Sequence, residues 1–205
     1  MNLPREIFIG DVHACASELG RLLDKVGLTS TDRIYLTGDL CNRGPDFLGL
    51  LKLIQEVHAE AVMGNHDWAL VRHLEGKKSL PRVAENTAKL LKKNPQALAY
   101  LRSMPFYRRT QHGDIVHAGL KPGVALENQN PEALTEIRTP WYKNYHEERL
   151  VFFGHRVMKQ PLIQHWKGQP VAVGLDTGCV YGGRLTALVM PEFQFYSVPA
   201  RRSYG

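Results

Sequence analysis

The clearest structural signal in this chain is the run Glu6-Ile7-Phe8-Ile9-Gly10-Asp11-Val12-His13. Its first four residues have the mostly apolar character of a short buried strand, which ends where Gly10 and Asp11 begin a turn. Asp11 and His13 are two residues apart, so at the end of an extended strand both side chains point the same way. The run therefore predicts a buried strand that presents a carboxylate and an imidazole side by side.

The stretches that follow alternate between helical and strand-like patterns. Apolar residues recur at helical spacing from residue 19 to 26 and again from 47 to 54, and strands are predicted at residues 33–36 and 59–63. Strands that alternate with helices in this way are typical of parallel pairing. We therefore expect the first third of the chain to form a largely parallel sheet.

The stretch from residue 68 to 104 is predicted to be helical, in three segments that are separated by residues 76–81 and by Asn94-Pro95. Because it carries no metal-ligand motif, we expect it to form a helical, cap-like insertion beside the site. Further strands are predicted at residues 114–116, 151–153, 171–175, 185–190 and 193–198. Residues 199–205 are basic and are expected to be frayed.

The length and composition suit a single domain. The 205 residues are 43% hydrophobic, and we expect residues 1–205 to form one domain with a full core. No run of about 18 apolar residues occurs, so no transmembrane helix and no membrane partner are expected. The N-terminus has neither the apolar stretch nor the cleavage site of a signal peptide. Three widely spaced cysteines form neither a zinc pattern nor a disulfide framework, which predicts a reducing, cytoplasmic location.

The charge points to the chemical class of the partners. A net charge of +6 favours polyanions such as nucleotides, polyphosphates or RNA. A basic surface that serves solubility alone is the alternative. The basic residues occur in pairs and not in one long run, so specific DNA binding is not expected.

Four further runs combine a potential ligand with glycine or another small residue. They are Gly38-Asp39-Leu40-Cys41-Asn42-Arg43-Gly44-Pro45, Gly64-Asn65-His66-Asp67, His117-Ala118-Gly119 and Gly154-His155-Arg156. With Asp11 and His13 they supply oxygen and nitrogen ligands and no thiolate, which favours manganese, iron, cobalt, nickel or zinc over a structural zinc site. A two-metal hydrolase needs such ligands, one of them a bridging carboxylate. A single Asp-x-His pair is a weak signal, whereas five such elements in one chain are a strong one.

In their order and wording the five runs resemble the calcineurin-like metallophosphoesterase superfamily. The resemblance covers roughly residues 6 to 190. It implies an α/β fold, a sandwich of two mixed β-sheets flanked by helices (αββα), and a metal-dependent hydrolase of phosphoric esters or anhydrides. It also implies two divalent metal ions as cofactors, with manganese as the first choice and iron, cobalt, nickel or zinc as alternatives.

The resemblance assigns six residues to the metal ions. Asp11 and His13 would bind the first ion, and Asp39 would bridge both. The second ion would be completed by Asn65, His117 and His155. A hydroxide that bridges the two ions would attack phosphorus in line.

The resemblance also assigns residues to the substrate. His66 would face the leaving group as general acid. Arg43 would bind phosphate oxygens through its planar fork, and Arg138, in Glu136-Ile137-Arg138, resembles a second phosphate-clamping arginine.

The stretch from residue 175 to 188 narrows the resemblance. Its Leu175-Asp176-Thr177-Gly178 and Tyr181-Gly182-Gly183 resemble symmetrical diadenosine tetraphosphatases and the bacterial phosphatases related to serine/threonine protein phosphatases. The glycines would form a rim near the metal ions, with Tyr181 as a substrate contact; the alternative is a plain hairpin that needs its glycines. The chain is shorter than typical symmetrical tetraphosphatases, which leaves the place of the second nucleoside open.

One residue departs from the protein phosphatase pattern. Those enzymes usually carry Asp-Arg-Gly where this chain has Asn42-Arg43-Gly44. A carboxylate beside His66 would keep the imidazole protonated, and a neutral amide does so much less. A nucleoside diphosphate leaves more easily than a serine alkoxide, because the second pKa of its terminal phosphate is about 6, as for phosphate esters. Asn42, a further candidate for substrate binding, therefore favours cleavage of a phosphoanhydride.

We therefore expect symmetrical hydrolysis of a dinucleoside polyphosphate, namely of diadenosine tetraphosphate to two ADP. The alternatives are a serine/threonine or tyrosine phosphoprotein phosphatase that uses the same site, and a non-catalytic nucleotide- or RNA-binding module. A capped RNA 5′ end is a further substrate class, since it is also a polyphosphate bridge between nucleosides. The filled ligand positions argue against the non-catalytic module.

Overall fold

Ten strands and six α-helices are formed by residues 4–80 and 82–205, the part of the chain that the computed structural model describes. The strands are Glu6–Ile9 (β1), Arg33–Leu36 (β2), Glu60–Ala61 (β3), Tyr107–Arg109 (β4), Asp114–Val116 (β5), Val151–Phe153 (β6), Leu162–Trp166 (β7), Gln169–Gly174 (β8), Arg184–Met190 (β9) and Gln194–Pro199 (β10). The α-helices are Ala16–Val26 (α1), Phe47–Glu56 (α2), Asn65–Leu74 (α3), Glu85–Lys93 (α4), Pro95–Ser103 (α5) and Pro131–Glu136 (α6). The N-terminal residues 1–3, and Pro81 at one boundary between predicted helices, lie outside the described residues.

The strands form two mixed sheets. The strand order is β10-β9-β1-β2-β3 in the first sheet and β4-β5-β6-β8-β7 in the second. β1 runs parallel to β2, and β2 runs parallel to β3, so the parallel start predicted from the alternation of strands and helices is confirmed. The first sheet becomes mixed because β9 joins the other side of β1 in antiparallel orientation.

The two sheets pack face to face through buried aromatic and aliphatic side chains. Phe8 of β1 stacks on Phe152 of β6, with 3.7 Å between the ring centroids. Tyr35 of β2 and Val173 of β8 belong to the same buried cluster. The predicted α/β sandwich of two mixed β-sheets is therefore confirmed.

Helices cover the outer faces of both sheets. Leu22 of α1 and Leu50 of α2 are fully buried in one cluster with Ile7 of β1. On the second sheet, Leu134 of α6 packs in a separate cluster with Val151 of β6. The sandwich thus has the layer order helix, sheet, sheet, helix.

The predicted helical segments between residues 68 and 104 are α3, α4 and α5. The first of them begins at Asn65, three residues before the predicted start, and Asp67 accepts a hydrogen bond from the backbone N–H of Gly64 at 3.2 Å. Leu91 of α4 and Leu101 of α5 are buried in the same cluster as the helices of the first sheet. That this region serves as a cap beside the site stays a prediction.

The C-terminal residues 200–205 are held in place, contrary to the expectation of a frayed end. The carboxylate of Glu18 in α1 accepts hydrogen bonds from the backbone N–H of Arg201 and from the hydroxyl of Tyr204, both at 3.0 Å. The backbone N–H of Tyr204 donates to the carbonyl of Val180 at 2.8 Å. Gly205 lies so close to Arg43 that a Cβ on it would be 3.4 Å from Nη1 of the guanidinium.

Two strands are missed by the sequence pattern. β4 and β7 lie at the two edges of the second sheet. An edge strand has one unpaired side and tolerates polar residues, so its sequence carries a weaker hydrophobic signal. None of the described helices has the length and apolar content needed to cross a membrane.

Candidate metal centre

The five motif runs meet where parallel strands end. Asp11 and Asp39 follow β1 and β2, and Asn65 follows β3 at the start of α3. His117 and His155 follow β5 and β6, which are parallel neighbours in the second sheet. Because functional groups in α/β folds gather at the carboxyl ends of parallel strands, each sheet presents its polar residues at one edge. The distances below show that the two edges face a common centre.

Asp39 lies at the middle of this group. Its Oδ2 is 3.5 Å from Nε2 of His13 and 3.5 Å from Nε2 of His117. Its Oδ1 accepts a hydrogen bond from the backbone N–H of His66 at 2.9 Å, which fixes the carboxylate. One carboxylate oxygen thus faces imidazoles from both sheets, which is the arrangement that a bridging ligand needs.

The backbone sets the tautomers of two imidazoles. Nδ1 of His13 donates to the carbonyl of Cys41 at 3.0 Å, and Nδ1 of His117 donates to the carbonyl of Thr37 at 2.8 Å. Because the proton of each neutral ring is then on Nδ1, the lone pair is on Nε2. Both lone pairs therefore point at the centre, as in histidines that bind metals.

Asn65 joins the two histidines of the second sheet. Its Oδ1 is 3.0 Å from Nε2 of His117 and 3.1 Å from Nδ1 of His155. With its proton on Nδ1, His117 presents a lone pair to an amide oxygen that is also an acceptor. The amide of Asn65 thus lies where one metal ion could contact it together with both imidazoles.

Asp11 is held by contacts from both sheets. Its Oδ1 accepts from the hydroxyl of Thr37 at 2.8 Å, and its Oδ2 accepts from the backbone N–H of His155 at 2.9 Å. Asp11, Asp39 and His117 each place one potential ligand atom within 4.8 Å of the others.

A second triad includes a residue that was expected outside the metal sphere. His13, Asp39 and His66 also place one potential ligand atom each within 4.8 Å of the others. The rings of His13 and His66 meet edge to face, with 5.0 Å between their centroids. His66 therefore lies at the border between the ligand group and the cavity.

The loops that carry these residues have an uncommon backbone conformation. Positive φ values of 45°, 50°, 69°, 66° and 64° occur at His13, Asp39, Asn42, Arg43 and His155. For residues other than glycine this conformation costs about 1–3 kcal/mol each, and it persists only where the surroundings enforce it. The strain is concentrated in the loops that aim the polar side chains.

Two glycines make room for the carboxylates of the centre. A Cβ at Gly154 would overlap Oδ1 of Asp11, and a Cβ at Gly64 would overlap the side chain and backbone of Asp39. Each glycine therefore gives a carboxylate the space that it occupies, which explains why a glycine precedes His155 and Asn65 in the sequence.

Burial shifts the pKa values of acids and imidazoles in opposite directions. It raises the pKa of Asp11 and of Asp39 well above the ordinary value, and neighbouring carboxylates add to the rise. Burial lowers the pKa of His13 to about 3, with the charge of His66 as the next cause. It lowers the pKa of His155 to about 4, with Arg138 as the next cause. The imidazoles are thus neutral at pH 7, which is the form that binds metal ions.

The donor set fits divalent metal ions. Buried carboxylates gather here with neutral imidazoles and an amide, and the carboxylates, whose charges raise one another's pKa values, call for a cation beside them. Oxygen and nitrogen donors suit manganese and the neighbouring transition metals. The residues that would hold the ions are those expected from the sequence, Asp11, His13, Asp39, Asn65, His117 and His155.

The centre opens into a cavity of about 440 Å³. Arg43, Arg138 and Tyr181 line it, so three of the expected substrate-binding residues share one space. The guanidinium of Arg43 lies over the ring of Tyr181, 5.1 Å from its centroid. Arg138 follows α6, whose first turn is capped by Oδ1 of Asn130. The cavity can therefore present two guanidinium groups beside the metal ligands.

Asn42 lies behind His66 and not in the cavity. Its side chain is buried, and its Nδ2 is 3.2 Å from Nδ1 of His66. In this orientation the amide donates to Nδ1, which leaves the proton of a neutral imidazole on Nε2. Burial lowers the pKa of His66, and Arg43 lowers it further. Asn42, which was expected among the substrate contacts, therefore contacts His66 and does not line the cavity.

Two polar residues of the centre are missed as candidates by the sequence patterns. Asp176 is buried, lines the cavity, and accepts a hydrogen bond on Oδ1 from the backbone N–H of Gly178 at 3.0 Å. Burial raises the pKa of Asp176 to about 6. Thr37 holds both Asp11 and His117. Asp176 follows the apolar residues 171–175 just as Asp11 follows β1, and this signal could have identified it.

Comparisons with known proteins agree with this geometry. A family model described as calcineurin-like phosphoesterase matches residues 5–182. A crystal structure provisionally described as a diadenosine tetraphosphatase has a TM-score of 0.84 and 30% identity, and the match covers 97% of this chain and 94% of the other.

Two relatives carry tetraphosphatase names of different kinds. The asymmetrical bis(5′-nucleosyl)-tetraphosphatase PrpE of Halalkalibacterium halodurans is 30% identical in an alignment that is 235 residues long. The alignment covers 95% of this chain and 93% of the relative. A symmetrical bis(5′-nucleosyl)-tetraphosphatase of Shewanella sp. is 34% identical over 133 residues, which cover 62% of this chain and 48% of the relative.

Proposed function

Because the chain belongs to the calcineurin-like phosphoesterase family, we propose that it is a metal-dependent hydrolase of dinucleoside polyphosphates, with diadenosine tetraphosphate as its substrate. Relatives that match nearly the whole chain bear tetraphosphatase names, and the net charge of +6 suits a polyanionic substrate. The buried, free cysteines Cys15, Cys41 and Cys179 suit a cytoplasmic location.

The uncharged contact between Asn42 and His66 is the observation that favours a phosphoanhydride over a phosphoserine as the substrate. With an amide and not a carboxylate on Nδ1, His66 is not held in its protonated form. A neutral imidazole donates a hydrogen bond from Nε2 but is a weak acid. Such a weak acid can assist a leaving nucleotide, because the phosphate oxygen of the nucleotide has a pKa of about 6. It is too weak to protonate a leaving serine alkoxide.

In this mechanism the six ligand residues would hold two divalent ions, with manganese as the first choice. When bound, such ions supply Lewis acidity and lower the pKa of water. The backbone contacts of His13 and His117 keep their Nε2 lone pairs available. Asp39, whose carboxylate is fixed by the N–H of His66, would be among the residues that hold the ions. Burial by the two sheets keeps these groups out of bulk solvent.

The residues around the cavity position the substrate. Arg43, stacked on Tyr181, and Arg138, at the end of α6, bind phosphate oxygens from two sides. His66 donates from Nε2 to the oxygen that leaves with the departing nucleotide.

Two positions of attack are compatible with this site. Asymmetrical attack on diadenosine tetraphosphate gives ATP and AMP, and symmetrical attack gives two ADP. We favour the asymmetrical products, because the relatives with that name match this chain over almost their full length. The symmetrical products expected from residues 175–188 are the second candidate, and the partial match to a symmetrical enzyme supports them.

Product analysis tests the function. The purified protein is incubated with Mn²⁺ and diadenosine tetraphosphate, and the nucleotides are separated by chromatography. We expect ATP and AMP in equal amounts; ADP alone would assign symmetrical attack. The His155→Ala variant and protein with a metal chelator are the matched controls. Turnover of nitrophenyl phosphate or a phosphopeptide without any cleavage of the dinucleotide would overturn the proposal and favour a phosphoprotein phosphatase.

A further inference from the structure

A second cavity lies next to the metal cavity and shares part of its wall. It has a volume of about 350 Å³, and both Val157 and Tyr181 line it as well as the first cavity. These two residues therefore stand between the spaces, and a ligand too long for one space can pass over them into the other.

The size of the substrate requires such a passage. Sites for drug-sized ligands enclose about 300–1,000 Å³, and a dinucleoside tetraphosphate is larger than such ligands. The metal cavity, with about 440 Å³, must also hold the ions and the phosphates next to them. A nucleoside at the far end of the polyphosphate therefore has to lie outside it.

The shared wall has the chemistry of a surface that binds a nucleobase. Val157 is 50% exposed and Tyr181 is 43% exposed, so both are large apolar side chains open to solvent. The guanidinium of Arg43 lies over one face of the Tyr181 ring. Aromatic faces bind bases by stacking without a preference for sequence.

The loop under this wall is preformed. The backbone N–H groups of Tyr181 and Gly183 donate to the carbonyl of Gly178, at 3.0 and 2.9 Å. A Cβ at Gly178 would lie 2.8 Å from Cγ1 of Val157, and one at Gly183 would overlap the carbonyl of Thr177. Gly178 thus lets Val157 pack directly against the loop, and Gly183 lets the loop close on its own backbone.

The charged residues that line the second cavity, within the described part of the chain, are both cations, Lys159 and Arg184. Lys159 is exposed, and Arg184 is held by a hydrogen bond from Nε to the hydroxyl of Ser197 at 2.8 Å. Two positive charges in this cavity suit the phosphates that join a far nucleoside to the phosphate at the metal centre.

We propose that the second cavity is the subsite for the nucleotide half that lies away from the metal ions, with its base against Val157 and Tyr181 and its phosphate facing Lys159 and Arg184; this inference rests on the proposed function. The subsite gives a place to the second nucleoside.

Charge reversal at Lys159 tests the subsite. We expect Lys159→Glu to lower kcat/KM for diadenosine tetraphosphate, relative to kcat/KM for nitrophenyl phosphate, by about tenfold, the effect of one lost charge-assisted hydrogen bond. The change should appear in KM, because the residue lies far from the reacting phosphorus. Val157→Asp, which puts a carboxylate between the cavities, should lower the same ratio. Lys52→Glu, at an exposed lysine of α2, is the matched control and should leave the ratio unchanged.

Inhibition provides a second measurement. We expect Lys159→Glu to weaken competitive inhibition by ATP of nitrophenyl phosphate hydrolysis by about tenfold, and to change inhibition by orthophosphate less than twofold. If the unsubstituted protein cleaves the dinucleotide and both variants keep its specificity ratio, the subsite is wrong and the proposed function stands. If the unsubstituted protein cleaves nitrophenyl phosphate only, both the proposed function and the subsite are wrong.

Discussion

The side-chain nitrogen Nδ2 of Asn42 lies 3.2 Å from Nδ1 of His66. Asn42 is buried behind His66, which lines the cavity, and the amide carries no charge. The pKa of the imidazole can therefore be changed by exchanging this one neighbour for its charged isostere.

The Asn42→Asp variant is expected to shift the substrate preference of the enzyme towards phosphoserine. A carboxylate at this place raises the pKa of His66, and the imidazolium is a strong enough acid for an alkoxide leaving group. We expect kcat/KM for a phosphoserine peptide, relative to that for nitrophenyl phosphate, to rise about tenfold or more. The alkaline limb of the pH profile should move to higher pH. Asn42→Ala removes the contact without adding charge and should leave the alkaline limb at the same pH. If the ratio of the two kcat/KM values in Asn42→Asp equals that of the parent protein, the role of Asn42 is wrong.

The Asp39→Asn variant is expected to lose most of its activity and keep its fold. The amide can still fill the space between His13 and His117, but it lacks the charge of a bridging ligand. We expect turnover of nitrophenyl phosphate to fall about 100-fold or more. Plasma mass spectrometry should show fewer bound ions per chain, and circular dichroism should be unchanged. Full metal content with full activity would remove Asp39 from the bridging position.

Protein stripped of metal ions is expected to lose stability as the pH rises. Burial raises the pKa of Asp176 to about 6, whereas the pKa of an aspartate in an unfolded chain is about 3.9. A carboxyl group with a raised folded pKa contributes stability below its unfolded pKa, and this contribution is lost as the pH rises through the folded pKa. Asp11 and Asp39, with pKa values raised in the same direction, extend the loss to higher pH.

Urea unfolding with a chelator present, between pH 4 and 8, measures this effect. In Asp176→Asn, the decrease in unfolding free energy between pH 4 and 6 should be smaller than in the parent protein by about 2 kcal/mol. Asp24→Asn, at an exposed aspartate, should leave this decrease unchanged. Saturating Mn²⁺ at 100 times its Kd should add about 2.7 kcal/mol to the unfolding free energy at pH 7. A decline that is identical in Asp176→Asn and the parent protein would show that Asp176 ionises normally.

The Glu18→Ala variant is expected to release the C-terminal residues. Glu18 is fully buried and accepts from both Arg201 and Tyr204, so its loss leaves two donors without a partner. We expect a loss of about 1–3 kcal/mol in unfolding free energy and much faster cleavage by trypsin after Arg201 and Arg202. Tyr204→Phe removes one of the two bonds and should have a smaller effect. Equal rates of tail cleavage in Glu18→Ala and the parent protein would mean that other contacts hold the tail.

The sequence predicts the parts of this protein that depend on local pattern. Asp11 and Asp39 could be identified because each follows a buried strand and stands beside glycine, and the parallel start of the first sheet follows from the same alternation. Asp176 also follows a buried strand, but its nearest glycines are two residues away, and the run is typical of a glycine-rich rim, so the pattern does not single out its carboxylate.

Other features depend on contacts between distant residues and have no local signal. Glu18 holds Tyr204 across 186 residues of sequence, and no pattern near either residue indicates it. The position of Asn42 behind His66 requires both loops to be folded. The edge strands β4 and β7 are short or partly polar, so only their hydrogen bonds to β5 and β8 identify them.

The anchored tail has a practical consequence for work on the isolated protein. A Cβ at Gly205 would lie 3.4 Å from Nη1 of Arg43 and 3.4 Å from Cε1 of Tyr181. An affinity tag joined after Gly205 would therefore start against the arginine proposed to bind phosphate and at the wall between the two cavities. Rates measured on such a fusion would report on the tag as well as on the enzyme, and a tag at the other terminus is the safer choice.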